Sequence, residues 1–149
     1  MTAKEYLSQA YKLDKQADMI IQKADALRKS LYGRGQNGES GNHFSSGDSL
    51  AKAIAKVVDY EHRADEIINR LVEVRIEIEN AIAEIPDPIQ REVLERRYLM
   101  YQPFEGSYDK KTGVYIKGID ESMGYSTRQI YRFHGYGLQK IKKDVSECQ

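Results

Sequence analysis

Several things are scarce in this 149-residue chain, and each scarcity excludes a class of protein. There is one cysteine, Cys148, which cannot close an intrachain disulfide and is too isolated to hold a metal, so folding has to rest on packing. No run approaches the roughly 18 to 20 uninterrupted apolar residues of a membrane span, and the amino terminus has no hydrophobic signal core. The expectation is a cytoplasmic chain with no membrane partner. Net charge is also missing: 23 basic residues balance 23 acidic ones, so global electrostatics predicts no polyanionic partner. His43, His62 and His134 stand far apart and in no metal-ligand spacing, which reads as surface histidines and no metal. A phosphate-binding glycine motif, a nucleophile elbow and a paired-carboxylate arrangement are all absent, so neither enzyme activity nor a cofactor is expected. The length fits one domain, or a small domain with a long helical appendage, and excludes a large multidomain enzyme. With 40% hydrophobic and 31% charged residues, the chain has apolar material for a core and is expected to fold.

What the chain does have is helical periodicity. Thr2-Ala3-Lys4-Glu5 reads as a capping box that opens a helix. Tyr6, Ala10, Leu13, Ala17, Ile20, Ala24, Leu27 and Leu31 follow at alternating steps of four and three, one apolar stripe along it. Residues 33–47 hold five glycines among asparagines and serines, a composition that favours flexible turns over a core. A second stripe comprises Leu50, Ile54, Val57, Ala64, Ile68, Leu71, Ile78, Ile82 and Ile85. At about 1.5 Å per residue, residues 48–85 make a rod on the order of 55 Å long, which needs a partner. The simplest partner is the first helix folded back across the glycine-rich loop, an antiparallel coiled-coil hairpin with close approach along its alanines. Glu61 and Arg75 interrupt the second stripe, either to set register or to mark where a second copy packs. Pro86-Asp87-Pro88 stops the rod and starts another helix, with Asp87 as cap and Pro88 in the first position. That helix is expected over 88–101, burying Ile89, Val93, Leu94, Tyr98 and Leu99. Turn residues between Tyr108 and Val114-Tyr115 predict a short hairpin or wing inside 102–115.

The remaining segment carries the chemistry. Ile119 and Met123 lie four apart, Gly124 suits a left-handed turn, Tyr125 can plug the angle, and Ser126 with Gln129 forms another capping box. Ile130, Phe133, Gly137 and Ile141 then share one face, so a short helix, a tight turn and a longer basic helix are predicted. Residues 126–143 hold five bases and no acid, a local charge of plus five, whereas 48–85 hold five bases against nine acids. The face opposite the apolar one presents Thr127, Arg128, Gln129, Tyr131, Arg132, Tyr136 and Gln139. A helix fits the major groove of duplex DNA, and side chains near its amino end reach base edges. Arg128, Gln129 and Arg132 are therefore the candidates for base readout, Ser126 and Thr127 for a phosphate, and Lys140, Lys142 and Lys143 for backbone attraction without sequence information. Seven of the eleven tyrosines lie between Tyr98 and Tyr136; only Tyr131 and Tyr136 have the helical phase to stack on bases, and the others read as packing.

Arg96-Arg97-Tyr98-Leu99, Ile119 and Met123-Gly124-Tyr125-Ser126-Thr127-Arg128-Gln129-Ile130-Tyr131-Arg132-Phe133-His134-Gly135, with Leu138, resemble the helix-turn-helix of sigma-factor region four. More closely, the chain resembles phage-encoded transcriptional regulators of Gram-positive hosts, the late-gene activators of the ArpU and RinA type and a related uncharacterised phage family. The resemblance spans most of the chain in layout and is motif-specific over about residues 91–141. It implies a DNA-binding regulator of phage or prophage origin that acts in the host cell and touches host RNA polymerase. Asp120 departs from the pattern, since such helices carry a small alanine there and a buried carboxylate needs a partner. The segment 102–115 is also longer than the usual turn. The resulting expectation is an all-α chain with a helical coiled-coil hairpin over 1–85 and a helix-turn-helix domain over 86–149, acting as a homodimer on double-stranded DNA. Two other readings stay open: a small terminase-like packaging protein, and a coiled-coil interaction module that binds no DNA.

Overall fold

A computed structural model describes residues 1–32 and 47–141. Nearly all of the expected glycine-rich loop, together with His43, Lys142, Lys143 and Cys148, lies outside the described residues. Among the described residues 76% are helical and 3% are in strands, an all-α chain. The order is α1 (Ala3–Leu7), α2 (Gln9–Tyr32), α3 (Gly47–Ala83), α4 (Pro88–Leu94), β1 (Ser107–Tyr108), β2 (Tyr115–Ile116), α5 (Ile119–Met123) and α6 (Thr127–Lys140). No helix of the described residues is long and apolar enough to cross a membrane.

The capping box at Thr2 and Glu5 forms as the sequence predicts. The first helix is nevertheless interrupted at Ser8, whose hydroxyl donates to the Lys4 carbonyl and so shares the acceptor of its own helical amide bond. The chain divides into two compact units, Met1–Tyr11 with Val72–Gln149, and Lys12–Leu71. Their boundaries fall inside α2 and α3, whereas the sequence placed the division after residue 85.

In the unit Lys12–Leu71, Ala17, Ala24, Ala53, Val57 and Ala64 are buried, and Arg28 pairs with Glu61. Leu50, Ile54 and Ile68 were expected in the buried stripe and are instead 46%, 50% and 37% exposed. The contact line runs through Ala53, one residue away from Ile54. Where alanines make the contact, backbones approach closely and bulkier neighbours are left at the rim. Leu50, Ile54 and Val58 accordingly line an open groove of about 300 Å³ beside the Arg28 and Glu61 pair.

The other unit has the denser core. Asp87 caps α4, its carboxylate accepting from the Ile89 and Gln90 amides, and Pro88 opens the helix. The α-helix then gives way to one wider π turn, Glu95–Leu99, in which the Met100 amide bonds to the Glu95 carbonyl. Tyr101 ends it in a left-handed conformation with φ of 57°. Arg75 holds this exit, donating to the Leu99 carbonyl and the Tyr101 hydroxyl at 3.1 Å each, which accounts for one of the two charges that interrupt the α3 stripe. The predicted hairpin is present as a two-residue antiparallel ladder, Ser107 opposite Ile116 and Tyr108 opposite Tyr115. Val93, Ile119 and Ile130 are fully buried together, and Phe104, Met123, Tyr125 and Phe133 close around them.

Candidate nucleic-acid interface

Helix α6 starts where local chemistry dictates. Gly124 adopts the left-handed conformation, φ 73°, at almost no steric cost, and Ser126 and Gln129 close a reciprocal capping box. Asp120 is half-buried and partnered. Its carboxylate accepts from the Thr127 hydroxyl at 3.0 Å and from the Glu121 amide at 2.8 Å, fastening α5 to the first turn of α6. The departure from a small residue at this position is thus absorbed by a hydrogen bond from Thr127.

One side of α6 is pinned. Ile130, His134, Gly137 and Ile141 are buried. The helix packs chiefly on α4, and also on α1 and α5. Gly137 marks the closest crossing, because a Cβ there would lie 3.0 Å from Leu94 Cδ1 and 3.2 Å from Cγ. At the far end, Lys140 Nζ donates to the Oε1 of buried Gln90 at 2.7 Å.

The sequence treated His134 as a surface histidine, and that reading is corrected here: its side chain is 9% exposed and bonded to the Tyr98 hydroxyl at 2.7 Å. A polar ring in a core is tolerated when its nitrogen is partnered, and Tyr98 supplies the partner. Burial, helped by the nearby charges of Lys4 and Arg97, pushes the imidazole pKa down to about 4. The same burial raises the Tyr98 phenol. His62 is exposed, as expected.

The opposite side of α6 faces solvent. Arg128, Gln129, Tyr131, Arg132, Tyr136 and Gln139 are all exposed, and the two tyrosines are half-exposed. Neither Arg128 nor Arg132 has a hydrogen-bond or ion-pair partner among the described residues. Their guanidinium groups are therefore available as rigidly based donors. Other candidates are more committed than the sequence implied. The Ser126 hydroxyl accepts from the Gln129 amide, Gln129 Oε1 accepts from the Ser126 amide at 3.2 Å, and the Thr127 hydroxyl is spent on Asp120. Lys140 is tethered to Gln90. Lys142 and Lys143 lie outside the described residues.

Three residues beside this face were not singled out from the sequence. The Phe104 ring lies 4.8 Å from that of Tyr131, centroid to centroid, and the Arg97 guanidinium sits 4.3 Å over Phe104. Lys4, on α1, lines a cleft together with Arg97 and lies within electrostatic range of His134. Local periodicity cannot join residues so distant in the chain, and Arg97, with Glu92 and Glu95 close before it, carries no charge signal of its own. No protein-family model, curated protein or solved structure matches the chain.

Proposed function

We propose that this chain is a sequence-specific, double-stranded-DNA-binding transcriptional regulator of phage or prophage origin, acting in the host cytoplasm. In this reading α5, the Gly124 turn and α6 form a helix-turn-helix, and α6 enters the major groove. One observation carries it: Arg128 and Arg132 project from a helix pinned on its other side, exposed and with no anionic partner among the described residues. Arginine can bond bidentately to guanine, and each good pair discriminates by about 1–3 kcal/mol. Gln129 contributes through its amide nitrogen, since its oxygen serves the cap. Ser126 and Thr127 act through the first backbone amides of α6, which have no helical partner. Lys142 and Lys143 add attraction to the backbone.

The helices α2 and α3 pair as an antiparallel coiled-coil hairpin, a reading supported by the buried alanines and by the Arg28 and Glu61 pair. Its use is self-association as a homodimer, favoured by the exposed Leu50, Ile54 and Val58, with host RNA polymerase as the alternative contact.

Selection from random duplexes tests the function. A preferred sequence is expected, with log affinity falling against log salt at a slope near minus 4 to 5 if about five phosphates are neutralised. Recovery of no preferred sequence, together with undiminished binding by an Arg128→Ala, Arg132→Ala variant, removes the proposal. Light scattering separates the packaging alternative, for which eight or more copies are expected, from the dimer.

A further inference from the structure

The exposed face of α6 does not end at Tyr131. Its ring meets Phe104, and Phe104 carries the Arg97 guanidinium, so aromatic surface leads without interruption from α6 to a second cation. Beyond Arg97 a cleft of about 260 Å³ opens, with Lys4 and Ser8 on one wall and Arg97 and Tyr101 on the other. No carboxylate lines it. Lys4 and Arg97 have no ion-pair partner among the described residues. Both lie near enough to the buried ring of His134 to disfavour its charged form. Arg97 is held in place, Nη1 donating to the Gln102 carbonyl at 3.3 Å, whereas Lys4 is exposed at the end of a flexible stem. Two cations facing one cleft repel each other until an oxyanion enters, and a charge-assisted bond to each then replaces the repulsion. A helix in the major groove has phosphates of both strands along its flanks.

We propose that Lys4 and Arg97 clamp one backbone phosphate of duplex DNA on the Tyr131 flank of α6. The clamp rests on the DNA-binding reading above and adds to it a contact that positions the helix without reading sequence. It also gives the first turn of the chain a role in binding, since Lys4 belongs to α1.

The experiment uses the full chain, the duplex recovered by selection, and a scrambled duplex of equal length. Lys4→Gln should weaken binding to both by the same factor, about eightfold at 0.1 M salt, and make the salt slope shallower by about 0.9, the contribution of one phosphate. Lys4→Arg should restore both quantities. Arg97→Gln, which keeps a donor for the Gln102 carbonyl, should reproduce the loss with base preference intact. Unchanged affinity and slope in Lys4→Gln, while Arg128→Ala loses its preference, would overturn the clamp and leave the regulator standing. Failure of the parent chain to bind any duplex would overturn both. If inorganic phosphate shifts the His134 ring resonances and Lys4→Gln leaves duplex binding unaltered, the cleft takes a small phosphate ester and the DNA assignment is wrong.

Discussion

Two glycines two positions apart on α6 should respond in opposite ways to one methyl group. Alanine is favoured over glycine inside a helix by about 1 kcal/mol, chiefly because the unfolded chain loses freedom. At Gly135 an added Cβ meets nothing within 4 Å, so Gly135→Ala should keep that whole gain. At Gly137 it would lie 3.0 Å from Leu94 Cδ1 and 3.2 Å from Cγ, tighter than ordinary contact. Leu94 is fully buried and cannot swing aside. Overpacking of this kind costs about 1–3 kcal/mol, which exceeds the propensity gain. The two variants should therefore differ by about 2 kcal/mol, Ala at 135 above the parent and Ala at 137 below it. Urea titration followed by far-ultraviolet circular dichroism measures this directly, through the midpoint at constant slope. Equal midpoints for the two variants would show that α4 and α6 do not cross at Gly137 as closely as described. A Gly137→Ala variant more stable than the parent would refute the reasoning entirely.

Three further outcomes follow from the same core and its surroundings. The folded His134 has a pKa near 4 and the unfolded ring near 6.5, so the unfolded chain binds the extra proton; the stabilisation is complete above about pH 6.5 and is lost as pH falls towards 4. Its size is on the order of 2–3 kcal/mol, and a His134→Gln variant should flatten the pH profile of unfolding over that window, which parallel denaturant titrations would detect. Asp120→Ala removes the acceptor of the Thr127 hydroxyl and should cost about 1 kcal/mol, with Asp120→Asn costing less because an amide oxygen remains; thermal melts of the three chains rank them. Arg28→Ala should change stability by less than about 0.5 kcal/mol, because both partners of the Glu61 pair are over 40% exposed and water screens them.

The legibility of this fold in its sequence followed the range of the interaction. Caps and turns were readable because their partners lie within a few residues: Thr2 with Glu5, Asp87 with Pro88, Ser126 with Gln129, and Gly124 in the left-handed region. The α2 stripe was readable too, since Ala17 and Ala24 are buried at its centre. On α3 the stripe held at Val57, Ala64, Ile78 and Ile82 but slipped by one residue at Ile54, because Ile54 and Ala53 are both apolar and only the partner's shape decides which of them faces inward. The π turn at Glu95–Leu99 left no periodic trace, being a single turn. His134 was misjudged because its partner, Tyr98, is brought to it only by tertiary packing. For the same reason the sequence displayed Arg128 and Arg132 as a basic face yet gave no hint of Lys4 beside Arg97.

The internal bonds of Ser126, Thr127 and Gln129 have a thermodynamic consequence. Side chains already immobilised by Asp120 and by the cap lose little rotamer freedom when a ligand settles on them. The entropic penalty of docking on this end of α6 is thereby concentrated in the arginine pair, each side chain carrying up to about 2 kcal/mol of rotamer entropy. Calorimetry should then find the ordering cost of complex formation in those two guanidinium arms, with the scaffold beneath them already set.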